Sequence, residues 1–109
     1  MKICQLCAVD FTLSTFLLPL IDKQIKEGHE VISVCSDGEY AQNMINLGYK
    51  IETITIDRSF NIIKHIKSTV KIYHFLRHNS FDVLHVHTPV AAMVGRLAAF
   101  LARVPLVIY

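Results

Sequence analysis

Two spacings of apolar residues alternate along the chain, short unbroken runs and a recurrence every three to four positions. The alternation predicts strands and helices in turn. KICQLC (2–7) is an apolar run of strand length, and TFLLPLIDKQIKEG (15–28) follows with helical spacing at Phe16, Leu17, Leu20, Ile21 and Ile25. Ser14 or Thr15 is placed to cap that helix, Pro19 to delay or bend it, and Gly28 to stop it. HEVISVCS (29–36) predicts a second strand, Asp37-Gly38 a turn, and EYAQNMINLG (39–48) a short helix. YKIETITI (49–56) is a β-branched third strand. A long helix over 61–78, a strand DVLHVH (82–87), a helix over 89–104 opened by Pro89 and a last strand PLVIY (105–109) complete the series.

Strands alternating with helices predict an α/β fold: a doubly wound, Rossmann-like parallel sheet of about five strands in the order 3-2-1-4-5. The helix over 89–104 is apolar nearly all round, which predicts burial. In the helix over 61–78, Lys64, Lys67, Lys71, His74 and His78 fall within an arc of roughly 80° at about 100° per residue. Ile62, Ile63, Ile66, Val70, Tyr73 and Leu76 lie elsewhere and are expected to face the sheet. The basic arc reads first as a solvated outer face, with attraction to an anionic membrane surface as the competing reading.

Composition narrows the picture. Hydrophobic residues make up 52% of the 109 and charged residues 18%, which suits a sheet buried on both faces. A net charge of +2, with no tryptophan and no recognisable nucleic-acid motif, argues against nucleic acid. Three cysteines and no signal-like start predict free thiols in a reducing, cytoplasmic setting. The oiliest stretch, 90–109, is interrupted by Arg96, Arg103 and Pro105 and is a poor bilayer span. One domain over 1–109 is expected. Its end on an apolar strand without a covering helix reads as a truncation.

Candidate chemistry is sparse. The loop after the first strand, Ala8 to Thr12, holds no glycine, so the dinucleotide fingerprint is missing, and no P-loop occurs. A phosphoacceptor domain would need an acidic pair where only Asp10 stands; Asp57-Arg58 follows the third strand. Cys4 and Cys7 form a CxxC, but on a strand they point to opposite faces and read as small core residues. Asp37-Gly38-Glu39 reads as a helix cap, with Ser36 or Asp37 accepting and Glu39 adding charge at the helix start. His85 and His87 share a strand face, yet no third ligand stands at a diagnostic spacing, so no metal is predicted. Mid-strand His85 reads as a core imidazole donating to a backbone carbonyl. His87, at the carboxyl end, is placed to meet a ligand if the first and fourth strands are neighbours.

Taken in order, MKICQLC, FLLPLIDKQIKEGHEV and above all FDVLHVHTPVAAMVGRLAA resemble the N-terminal half of GT-B glycosyltransferases, closest to bacterial family 4 enzymes of capsule, exopolysaccharide or lipid-linked glycan synthesis. The resemblance covers the whole chain but only about the first third of such an enzyme. It implies retaining, metal-independent transfer, without a cofactor, from a nucleotide-sugar donor to an acceptor, often polyprenyl-linked. It implies that Asp10, Phe11 and Thr12, with His87 and Thr88 beside them, line the acceptor side of the inter-domain cleft. Ala8-Val9 stands where many members carry a glycine pair, and the family's active-site histidine would fall beyond Tyr109. The chain by itself is therefore expected to be inactive, with no catalytic residue of its own. It would need its C-terminal donor domain or a partner chain. The alternatives are a half-enzyme subunit that recruits a donor-binding partner and a small-molecule binding domain. The resemblance also suits a cytoplasmic protein peripheral to the inner face of the membrane, with Lys64, Lys67 and Lys71 facing it.

Overall fold

The computed structural model describes residues 1–56 and 61–109; Asp57-Arg58 lies outside them. Five strands, β1 (Lys2–Leu6), β2 (Glu30–Cys35), β3 (Ile51–Thr53), β4 (Val83–Val86) and β5 (Leu106–Ile108), form one parallel sheet in the order β3-β2-β1-β4-β5. This is the predicted order. The registers Gln5↔Ser33 and Gln5↔His85 put β1 at the centre.

The alternation of side chains along each strand divides the core in two. Ile3, Cys7, Val31, Cys35 and Val83 pack with Leu13, Ile21, Ala41 and Met44 on one face. Cys4, Leu6, Val34, Leu84 and Val86 pack on the other with residues of the last two helices. Cys4 and Cys7 thus occupy opposite faces, and all three cysteines are buried and free. Burial pushes each thiol up, Cys35 to about 12, which removes thiolate chemistry at neutral pH.

The first helical segment departs from expectation. It starts at Asp10, as α1 (Asp10–Thr12), widens into a π-helical turn over Leu13–Leu17, and continues as α2 (Leu18–Lys26). Neither Ser14 nor Thr15 caps it. The wide turn lets Pro19 sit in the first turn of α2, where its missing N–H costs no ladder bond. Helix α3 (Glu39–Asn46) is followed at Gly48 by φ +100°, as a glycine stop requires. Its cap, however, is neither Ser36 nor Asp37. Ser36 Oγ accepts from Ile56 N at 3.2 Å, and Asp37 Oδ1 from Gly38 N at 2.9 Å. The free N–H of Ala41 instead donates to Asp10 Oδ2 at 3.1 Å, a cap supplied by α1.

Helix α4 (Ile62–Asn79) begins at Asn61, whose side chain accepts from Ile63 N and Lys64 N. Its sheet-facing side is Ser68, Thr69, Ile72 and Leu76, while Ile62, Ile63, Ile66 and Val70 are exposed, contrary to the expected orientation. The buried hydroxyls are satisfied locally, Ser68 by Thr55 O and Thr69 by His65 O, both at 2.8 Å. That makes them cheap to bury. Helix α5 (Pro89–Ala102) turns Ala91, Ala92, Val94, Gly95, Ala98 and Ala99 inward. It approaches so closely that a Cβ at Gly95 would strike Leu6 and Val86. Close packing of the small side leaves Met93, Leu97, Phe100 and Leu101 outside, so the helix is not buried all round as predicted.

Candidate functional site

The chain leaves β1, builds β2 and β3 on one side, then returns to place β4 on the other. In open parallel sheets a ligand crevice opens where the order reverses, outside the carboxyl ends of the strands. Here that point lies between β1 and β4. His87 follows β4 there, and its backbone N–H donates to Leu6 O at 2.9 Å.

Beneath His87 the central strand carries a residue that the sequence reading missed. Gln5 is fully buried, with Nε2 donating to Gln24 Oε1 at 2.9 Å and Oε1 lying 2.6 Å from His87 Nε2. Because the Gln5 amide N–H is directed to Gln24, the His87 bond needs Nε2–H as donor. That fixes the neutral tautomer and leaves Nδ1 a lone pair. Burial, and then the neighbouring His85, hold the His87 imidazole down at about 4, so it is uncharged at pH 7. A glutamine in the middle of the apolar run KICQL was the available signal, since a buried amide must find partners.

His85 packs against His87 with ring centroids 4.0 Å apart and the planes tilted by 49°. It is only half-buried and, among the described residues, makes no side-chain hydrogen bond, so the expected core imidazole bonded to a carbonyl is not found. Helix α2 stops short of β4 and β5 on this face. His85 therefore lines an open groove of about 380 Å³ with Leu20, Gln24, Leu106 and Ile108. Burial lowers its pKa too.

Thr88 sits at the start of α5 with φ 78° and ψ 143° and makes no capping bond through its side chain. A β-branched residue with positive φ is strained by about 1–3 kcal/mol. Its buried hydroxyl has no hydrogen-bond partner among the described residues. Strain and an unpaired hydroxyl beside His87 mark the spot.

The other predicted cleft residues gather on the α3 side. Asp10 accepts from Phe11 N at 2.9 Å as well as from Ala41 N, so both carboxylate oxygens are engaged, Oδ1 within α1 and Oδ2 in holding α1 to α3. Phe11 is exposed and meets Tyr40 edge-on at 5.2 Å and Phe16 at 6.5 Å between centroids. Thr12 is half-buried beside Cys7. No side-chain hydrogen bond joins this group to His87 or Thr88 among the described residues. Lys64, Lys67 and Lys71 are exposed and line one hollow of about 250 Å³ with Thr55 and Ser68. A larger groove, of about 940 Å³, runs between β3 and α4, away from the switch point. Among the described residues, no three His, Cys, Asp or Glu converge as a metal site.

Sheet order, two-faced core and polar cluster at the switch point define a Rossmann-like domain of the kind that forms the N-terminal half of a GT-B enzyme. The chain belongs to the glycosyl transferase 4-like family, whose model matches residues 2–109. It is 36% identical over 55 residues to the Escherichia coli UDP-Gal:alpha-D-GlcNAc-diphosphoundecaprenol alpha-1,3-galactosyltransferase, a match covering 50% of this chain and 14% of that enzyme. Its fold is that of Acinetobacter baumannii MurG (TM-score 0.73, 18% identity), over 98% of this chain and 34% of the other. Anabaena HepE, solved with UDP and glucose, gives a TM-score of 0.70 at 23% identity over 97% and 28%. UDP-GlcNAc 2-epimerase from Methanocaldococcus jannaschii gives 0.73 at 16% over 97% and 30%. The chain spans about a third of the length of these proteins.

Proposed function

We propose that this chain is the acceptor-side domain of a retaining glycosyltransferase. The enzyme would move a sugar from a nucleotide-sugar donor to a lipid-linked glycan acceptor in capsule, exopolysaccharide or other cell-surface glycan synthesis, at the cytoplasmic face of the membrane. The observation that carries this reading is the 36% identity, over 55 residues, with an enzyme named for transfer to GlcNAc-diphosphoundecaprenol. The geometry agrees with it. A neutral His87 that donates through Nε2 to Gln5 has Nδ1 to accept from an O–H. A sugar hydroxyl offers that proton and an ionised phosphate does not. Thr88, with its unpaired hydroxyl, adds a donor or an acceptor alongside. Phe11 and Tyr40 add an exposed aromatic pair where α1 meets α3. Asp10 serves the site indirectly, by fixing α1 to α3.

Transfer on this reading needs a donor-binding lobe, supplied by further chain or by a partner subunit. With both lobes present, His87→Ala lowers transfer to a GlcNAc-diphosphoprenol acceptor by at least about tenfold, the loss of one or more polar contacts to the bound sugar. Equal transfer by His87→Ala and the wild type would sink the assignment.

A further inference from the structure

Strand β3 is an edge of the sheet, and its backbone is only half used. Ser33 N donates to Lys50 O and Ile54 N to Cys35 O, both at 2.9 Å. In a parallel pair the groups of alternate residues turn towards the neighbour. Those of Glu52 therefore complete the ladder to β2, and those of Ile51 and Thr53 point away from it. Among the described residues nothing else pairs with the Ile51 and Thr53 groups. Such an open edge is a template for a further strand. The groove of about 940 Å³ between β3 and α4 runs along it. Ile51 and Thr53 line that groove, although strand alternation turns their side chains to the opposite face, so it is their backbone that the groove reaches.

The walls tell what kind of strand fits. The floor is apolar, made by Ile32, Ile54 and Phe75. The wall given by α4 offers Lys71, His74 and His78, all exposed, and that helix contains no acid. Lysine has donors and no acceptor, and each imidazole brings at least one N–H. From β3 the groove receives Lys50 and one acid, Glu52. Lys50 lies 3.8 Å from Glu30, an exposed pair loose enough for a further carboxylate to share. A second copy paired through β3 would set the lysines of both chains against only the two Glu52 side chains, and like-charge repulsion opposes it. We propose that the β3 edge takes up, by strand addition, an extended acidic segment of a partner protein. The backbone of that segment pairs with Ile51 and Thr53. Its carboxylates on the α4 side meet Lys50, Lys71, His74 and His78, and an apolar side chain between them covers Ile54 and Phe75. The groove lies away from the switch point, and the inference does not rest on the transferase reading.

The test is an NMR titration of the chain with the acetylated, amidated peptide Glu-Thr-Val-Thr-Glu, whose glutamates and valine share one face when extended. The Ile51 and Thr53 amides should shift saturably, and their hydrogen exchange should slow by at least about fivefold near saturation. Thr53→Pro deletes an outward N–H of an edge strand, where proline is tolerated, and should abolish the shifts. Lys50→Gln with Lys71→Gln should weaken binding by about three- to tenfold at low salt and less at high salt. Both lysines are exposed, so circular dichroism of that variant should be unchanged. If the proline variant fails to fold, the lysine variant and the exchange measurement decide. No saturable shift, or unaltered binding by a folded Thr53→Pro chain, would overturn the proposal. Equal shifts with Lys-Thr-Val-Thr-Lys would do the same, because acidity would then play no part. Equal shifts with inorganic phosphate alone would make the groove an anion site and not a strand site, which also overturns it. So would a dimer in solution that Thr53→Pro dissolves, because the edge would then belong to a second copy.

Discussion

His87 Nε2 lies 2.6 Å from Gln5 Oε1, and that bond ties the end of β4 to the buried centre of β1. Gln5 is in turn held by Gln24 of α2, so one amide joins three elements. Replacing it by leucine leaves His87 Nε2 and Gln24 Oε1 without their partner. The expected loss is about 1–3 kcal/mol of unfolding free energy, read from urea denaturation. Gln5→Glu should be worse than Gln5→Leu, because it buries a charge. A Gln5→Leu protein as stable as the wild type would show that the bond does not contribute.

Asp10 should prove structural. Asp10→Ala removes the acceptor for Ala41 N–H and should cost about 0.5–2 kcal/mol, as other lost helix caps do. Asp10→Asn keeps an acceptor and should cost less. Hydrogen exchange at the Ala41 amide should accelerate in the alanine variant ahead of amides in β1. Unchanged exchange there would contradict the cap.

Acid should weaken the fold through His87. The unfolded chain carries this imidazole at its ordinary 6.5, the folded chain at about 4. Between those values the unfolded state binds more protons. The stabilisation is therefore complete above pH 6.5 and is lost as pH falls towards 4. His87→Gln can still donate to Gln5 but does not titrate. The stability difference between wild type and His87→Gln should shrink or reverse across that window, measured by denaturation at each pH. A constant difference would contradict the buried neutral imidazole.

Thr88→Gly should separate stability from binding. Glycine accepts φ 78° without strain, so the variant should gain up to about 1 kcal/mol, offset in part by its freer unfolded chain. Acceptor binding should weaken, because the hydroxyl beside His87 is gone. A gain in both would remove Thr88 from the site.

Much of this architecture is legible in the sequence because apolar runs and helical spacings give the succession of strands and helices, and the doubly wound class then supplies the strand order. β1 and β4 are neighbours as that order requires, and His87 reaches the switch point because it ends an apolar strand. What escaped was long-range or compensated. The cap on α3 comes from Asp10, thirty-one positions before Ala41, and no local pattern encodes it. Periodicity misplaced α4 because its buried stripe includes Ser68 and Thr69, whose hydroxyls find nearby carbonyls, while its isoleucines face out. It misplaced α5 because small residues, rather than large ones, pack closest to the sheet. Gln5 was visible as a polar break in β1, but its partners lie on two other elements.

The most direct test is an NMR titration of the chain with a short-chain GlcNAc-diphosphoprenol, set against UDP-galactose. Acceptor-side binding predicts saturable shifts of the His87, Thr88 and Phe11 resonances with the lipid-linked sugar and little change with the nucleotide sugar. Shifts confined to UDP-galactose, or none near His87 with either ligand, would contradict it.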